Sequence, residues 1–226
     1  GTASSITLAE SRRYISVIFY ILTIQEWPSW LIWQDKRVIV MNTEIIVITG
    51  PESSGKTTLA SQLSAYWKTP LVPEIARDYL KEKGSYQQHD LLKIGMLQHK
   101  QEQDFLSHFP KKVICDTDLL VIMIWSEVKY GTCDPWIYKT FENCINQQTS
   151  SRYYYLCDPE IPWEADQLRE NPHDRDELFD LYLQKLEEYD LCHSIVEGDQ
   201  QERLQQVLNS SDSKFYQPND EPLIKF

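Results

Sequence analysis

The chain has 226 residues, a formal net charge of -12 and five cysteines. That length suits one domain of moderate size with short appendages. The acidic balance excludes a general nucleic-acid or acidic-membrane surface, which would need a basic stripe, but leaves room for local nucleotide binding through backbone N–H groups and a few cations. The cysteines are odd in number and form no C-x-x-C pair, against a zinc knuckle or a disulfide framework. Cys115 and Cys157 fall in apolar runs and are expected as small core residues, and a reducing cytoplasm fits this usage.

Residues 1–40 differ in character from the rest of the chain. The run "YISVIFYILTI" at 14–24 is about half of a membrane span of roughly 20 residues, and Glu26, Pro28 and "DKR" interrupt its continuation. Arg12 and Arg13 precede it as in a secretory signal, yet it lacks a small-x-small cleavage site on its C-terminal side. The expectation is an appended or mis-assigned leader ahead of a domain covering 41–210, with 211–226 as a mobile polar tail.

From Met41 the pattern is regular. Strand-length apolar runs occur at 44–49, 69–72, 111–115, 152–157 and 193–197, separated by segments of helical period. Leu59, Leu63, Tyr66 and Trp67 share one helix face. Residues 87–108 form a long Gln-rich helix, in which Gln98 is expected on a solvated face, with the lining of a substrate pocket as the alternative. Asp174-x-x-Glu177 resembles a capping box that opens a helix through Leu178, Leu181, Tyr182, Leu186 and Tyr189. Buried strands alternating with helices predict an α/β fold with a parallel sheet covered on both faces.

"GPESSGKTT" at 50–58 matches G-x-x-x-x-G-K-[ST], between a strand and an amphipathic helix. Gly50, Pro51, Glu52, Ser53, Ser54, Gly55, Lys56, Thr57 and Thr58 are therefore the predicted phosphate-binding residues. Glycines let the backbone curl so that successive N–H groups face phosphate oxygens, at the positive end of the next helix. Lys56 is placed on the β- and γ-phosphates, and Thr57 on Mg²⁺. The loop defines a nucleoside triphosphate site, not a reaction.

Ligands in such sheets lie beyond the carboxyl ends of the strands. The second strand ends near Glu74 and Arg77, the third at Asp116 and Asp118. Asp116 is read as a Walker-B-type metal acid, and Glu74 as a carboxylate able to take a proton from a substrate hydroxyl; which of the two is the base stays open. Asp116, Thr117 and Asp118 also have a plain alternative as caps of the helix "LLVIMIWSEVKYG". After the fourth strand comes a loop with Trp163, Arg169 and Arg175, suited to a lid whose guanidinium groups stabilise charge on a transferring phosphoryl group.

In this order the blocks "GPESSGKTTL", "PEIARDYL", "DTDLLVI" and "PWEADQLRENPHDR" resemble the ribosylnicotinamide kinase domain of NadR and its stand-alone bacterial relatives, over about 41–208. The resemblance implies a three-layer α/β/α P-loop kinase with a five-stranded parallel sheet of order 2-3-1-4-5 and an arginine-bearing lid. It implies ATP and Mg²⁺ as cofactors and the 5′-hydroxyl of nicotinamide riboside as acceptor, with NMN as product. By position it makes Lys56, Glu74, Asp116, Arg169 and Arg175 catalytic, and Glu74, Arg77, Asp118, Trp163 and Asp166 substrate-binding, with Thr57 and Asp116 at the metal. No membrane or nucleic-acid partner is implied, and the oligomeric state is not readable. These 226 residues leave no room for the family's adenylyltransferase domain, and no helix-turn-helix pattern is visible in them. The alternatives are a kinase for another nucleoside or small metabolite, and a nucleotide-dependent binding or switch protein.

Overall fold

A computed structural model describes residues 42–147, 150–159 and 175–214, with side chains to 210. Five strands form one parallel sheet: β1 (Thr43–Thr49), β2 (Leu71–Val72), β3 (Lys112–Asp116), β4 (Ser150–Cys157) and β5 (His193–Val196). Their order is β2-β3-β1-β4-β5, the expected one. Between them lie α1 (Lys56–Trp67), α2 (Ile75–Lys83), α3 (Gln88–Leu106), α4 (Leu119–Tyr130), α5 (Pro135–Ile145), α6 (Arg175–Glu188) and α7 (Gln200–Lys214). The last helix runs past residue 210, the expected end of the domain.

β1 is central, and its residues Ile45 to Ile48 are all fully buried. Strand period two divides them between two cores. Ile45 and Val47 join Val113, Cys115, Tyr154 and Leu156 beneath α2 to α6. Ile46 and Ile48 join Ile114, Tyr155 and Cys157 beneath Leu59, Ala60 and Leu63 of α1 and Val207 of α7. Burying each such Ile or Leu is worth about 1.5–3 kcal/mol, so both cores hold the central strand in register. Cys115 and Cys157 are core residues as expected.

The registers Ile48↔Asp116 and Thr49↔Leu156 bring the carboxyl ends of β1, β3 and β4 to one edge. Thr117 N–H donates to the Ile48 carbonyl at 3.0 Å, extending that alignment one residue beyond β3. No helix among the described residues is long and apolar enough to cross a membrane.

Candidate active site

The phosphate loop leaves β1 at Gly50, whose φ is +134°. A Cβ there would lie 2.8 Å from the Cys157 carbonyl oxygen, so only glycine lets the loop pass the end of β4. Ser53 (φ 57°) and Gly55 (φ 80°) are left-handed and turn the chain back toward α1. Ser54 Oγ donates to the Pro51 carbonyl at 2.8 Å, and Lys56 Nζ to the same oxygen at 2.5 Å. Gly55 caps α1 with no side-chain hydrogen bond, and the first turn, which includes Thr57 and Thr58, holds no acid. Its N–H groups and positive dipole end are therefore left for an anion.

Two carboxylates face this loop. Asp116 closes β3 and is 2% exposed. Burial raises its pKa; the Thr57 hydroxyl, which hydrogen-bonds to it, and the charges of Lys56 and Arg77 oppose the rise. Its Oδ1 is buried with no hydrogen-bond partner among the described residues. A buried bare carboxylate oxygen beside a hydroxyl is the donor set a hard divalent cation takes, so Thr57 and Asp116 fit Mg²⁺.

Glu74 caps α2 and pairs with Arg77, Nη2 to Oε2, at 3.7 Å. Burial raises its pKa too; Lys56 opposes this, the charge of Asp116 adds to it, and Arg77 opposes it. Gln98 of α3 grips the backbone on both sides of Glu74. Its Oε1 accepts from Ile75 N–H at 2.9 Å, and its Nε2 donates to the Pro73 carbonyl at 3.3 Å. Gln98 is 2% exposed, which overturns the expected solvated face. The signal was present in the helical spacing: Leu91, Ile94, Gln98 and Glu102 share one stripe, and all four are buried. A polar side chain on an apolar stripe must find partners, and Gln98 finds backbone.

A pocket opens between the loop and α2, where Glu74 and Arg77 meet Leu80, Val121, Trp125 and Tyr182. Trp125 and Tyr182 were absent from the sequence-based site, because helical spacing marks them only as core. Tyr182 is held neutral by its burial and by the charges of Glu74 and Glu52. Arg175, the first residue of α6, donates to the Ser53 carbonyl at 3.5 Å, so it does reach the loop. Trp163, Asp166 and Arg169 lie outside the described residues, as does Asp174 of the expected capping box.

Asp118 is placed elsewhere. It caps α4, its Oδ1 accepting from Leu120 N–H at 3.0 Å. Its Oδ2 accepts from Arg152 Nη1 at 2.9 Å and from Tyr154 OH at 2.8 Å. Arg152 Nη2 in turn binds Glu102 Oε1, closing a cluster under the sheet. Of the alternatives open in the sequence, the cap is the one Asp118 adopts, and it does not line the pocket.

Fold and site together define a P-loop nucleotide-binding protein with the architecture of P-loop kinases. A family model described as AAA domain matches residues 45–203, and the chain belongs to that family. It is similar to the trifunctional NAD biosynthesis/regulator protein NadR of Escherichia coli (strain K12), with 29% identity over 153 residues, 63% of this chain and 35% of that protein. A solved structure of NadR in complex with NR aligns with a TM-score of 0.58 at 17% identity, covering 76% of this chain and 49% of that one. Thymidylate kinase from Ehrlichia chaffeensis aligns at 0.58 with 13% identity, and deoxyadenosine kinase from M. mycoides at 0.55 with 18% identity; each match covers 75% of this chain and 99% of the other. The chain thus spans 35% of the curated relative and 49% of the NadR structure.

Proposed function

We propose that the protein is an ATP-dependent kinase that phosphorylates the 5′-hydroxyl of nicotinamide riboside to NMN, with residues 41–210 as its catalytic unit. The observation that carries this reading is the juxtaposition of Glu74 with the phosphate loop. A partly buried carboxylate of raised pKa shares one pocket with Lys56, Arg77, Trp125 and Tyr182. A switch protein needs the loop and the metal acid; a second carboxylate facing an open pocket suits an acceptor hydroxyl.

In this reading the loop N–H groups and Lys56 hold the triphosphate, and Thr57 and Asp116 hold Mg²⁺. The metal, when bound, supplies charge neutralisation on the phosphate oxygens. Glu74 orients the acceptor hydroxyl and takes its proton late, when the new O–P bond is nearly formed. That step balances as transfer of one phosphoryl group from ATP to the hydroxyl oxygen, leaving ADP and a proton. Arg175 neutralises charge on the transferring group, and Arg169 is given the same role on sequence grounds alone. Trp125 and Tyr182 offer flat apolar walls to the acceptor's ring.

ADP release from ATP, measured with and without nicotinamide riboside, tests the reading. The expected result is strong stimulation, with NMN as product and loss of that turnover in Lys56→Ala. A panel of deoxyribonucleosides belongs in the same assay, because the fold is shared with deoxyadenosine and thymidylate kinases. No stimulation by nicotinamide riboside, with NMN undetectable, overturns the assignment. A chain beginning at Met41 is expected to fold and bind ATP.

A further inference from the structure

The side chain of Arg203 is outside every element of the site so far, yet among the described residues it is the largest of the fully buried side chains, at 1% exposure. Its three nitrogens all donate to backbone carbonyls, each in a different loop. Nη1 reaches the Ser54 carbonyl in the phosphate loop at 2.7 Å. Nη2 reaches the Asp158 carbonyl at the exit of β4 at 2.9 Å. Nε reaches the Gly198 carbonyl after β5 at 2.7 Å. The guanidinium also hydrogen-bonds to the Cys157 thiol. Among the described residues no carboxylate forms an ion pair with it. A buried cation with no paired anion is costly, and here three carbonyl dipoles and the Cys157 sulfur compensate it.

The turn that carries Arg203 is built to be stiff. Asp199 Oδ1 accepts from Gln201 N–H at 2.8 Å and Glu202 N–H at 2.9 Å, while Glu202 Oε2 accepts from Asp199 N–H at 2.8 Å. That is a reciprocal cap at the start of α7. Gln206 adds a second brace, donating to the Glu197 carbonyl at 2.9 Å and accepting from Glu197 N–H at 3.2 Å. The exit of β4 is tied to the same place, because Asp158 N–H donates to the Val196 carbonyl at 2.9 Å.

We propose that Arg203 is a positioning residue for the triphosphate: it holds the phosphate loop in its anion-binding shape from behind. The Ser54 carbonyl and the Gly55 N–H belong to one trans peptide and point in opposite directions. Anchoring the carbonyl on the buried side turns the Gly55 N–H toward the mouth of the loop, where phosphate oxygens bind. The unpaired positive charge lies behind the same peptide and adds attraction for the anion in a low-dielectric setting. Ser53, which is not glycine, is left-handed, so this stretch sits in a sparsely populated conformation that needs outside support. Arg203 supplies it by bracing the loop against the exits of β4 and β5.

This proposal rests on the donor half of the function above, nucleotide binding at the loop, and not on the identity of the acceptor. The test is binding of ATP and of AMP to the full chain, wild type against Arg203→Lys and Arg203→Gln. Competition with a fluorescent ATP analogue gives the affinities, and circular dichroism the folded state. Lysine keeps the charge but cannot span three carbonyls; glutamine keeps a donor without the charge. Both variants are expected to weaken ATP by about tenfold or more, the loss of one or two charge-assisted hydrogen bonds, while AMP changes by less than about threefold. A residue that merely stabilises the fold would weaken both ligands by the same factor, and that result overturns the proposal. So does wild-type ATP affinity in Arg203→Lys, and so does loss of the fold in both variants. Failure of the wild-type protein to bind ATP removes the donor site itself, and is thereby distinguishable from failure of the brace alone.

Discussion

Asp116 and Asp118 stand on either side of Thr117 and do opposite work. Both are buried, at 2% and 3% exposure, and burial raises the pKa of each. Asp116 faces the open region with Lys56, Thr57 and Arg77, and keeps one oxygen bare. Asp118 faces the closed cluster, where Arg152, Tyr154 and the Leu120 N–H use both of its oxygens. Thr117 separates them with a left-handed φ of 69°, unusual for a β-branched residue. The reversal lets neighbouring acids point to different sides of the sheet. Charge that is fully paired holds structure; charge left incompletely paired at a strand end is available to a ligand.

The largest effect is expected from breaking the closed side. Arg152→Met removes the cation between Glu102 and Asp118 and leaves two buried carboxylates facing each other. Denaturant unfolding should show a loss of about 3–5 kcal/mol, the cost of breaking a buried pair from one side. ATP affinity per folded molecule should stay near wild type, and a collapse of that affinity without lost stability would show the two sides to be one site.

On the open side the same kind of change should act in the other direction. Asp116→Asn is expected to cut phosphoryl transfer by about 10²–10³-fold, as for loss of one electrostatic stabiliser. It should not lower the unfolding midpoint, because it removes a desolvated charge rather than a used one. A destabilised, active Asp116→Asn protein would erase the contrast with Asp118.

Gln98→Leu tests whether backbone grip matters to Glu74. The variant fills the same stripe of α3 with an apolar side chain but leaves Ile75 N–H and the Pro73 carbonyl without their partner. We expect kcat to fall by about tenfold, a modest share of a general base's contribution, with KM for ATP unchanged. Equal changes in both constants would mean that the whole β2–α2 turn has moved.

The smallest effect is on pH dependence. Glu74 has a raised pKa in the folded protein, so the folded state binds its proton more tightly than the unfolded one. Its contribution to stability is complete below the unfolded value, near 4.5, and is lost as pH rises through the folded value. Glu74→Gln should therefore gain stability relative to wild type across that window. Wild-type kcat should rise with pH through a midpoint above 4.5, because the base must be ionised. Thermal melts of the two proteins over pH 4–8, with rates on the wild type, measure both, and a wild-type rate flat across that range would remove Glu74 as the base.

Much of the fold was legible from residue pattern. The five apolar runs became the five strands within one or two residues, because a parallel sheet buried on both faces demands continuous apolar stretches. The phosphate loop was legible for a similar reason: backbone curl and N–H display impose glycines at fixed places, and Gly50 would clash with Cys157 if it carried a side chain. The side-chain part was less legible. Asp116 and Asp118 look alike in "CDTDLL", and Gln98 looks like its Gln-rich surroundings. Trp125 and Tyr182 cannot be told from core aromatics by spacing.

What the sequence by itself determined is whatever depends on local backbone chemistry and periodicity: the strands, the helices, the anion-binding loop and the acids at strand ends. Tertiary structure alone decided which partners those side chains meet. Arg152 is 34 residues from Asp118 and 50 from Glu102, and Arg203 is 149 from the loop it braces. Whether a carboxylate is consumed by a guanidinium or left for a metal is set by contacts at such separations. Residue type and spacing carry no record of them, because the energy of a buried charge depends on what surrounds it in space.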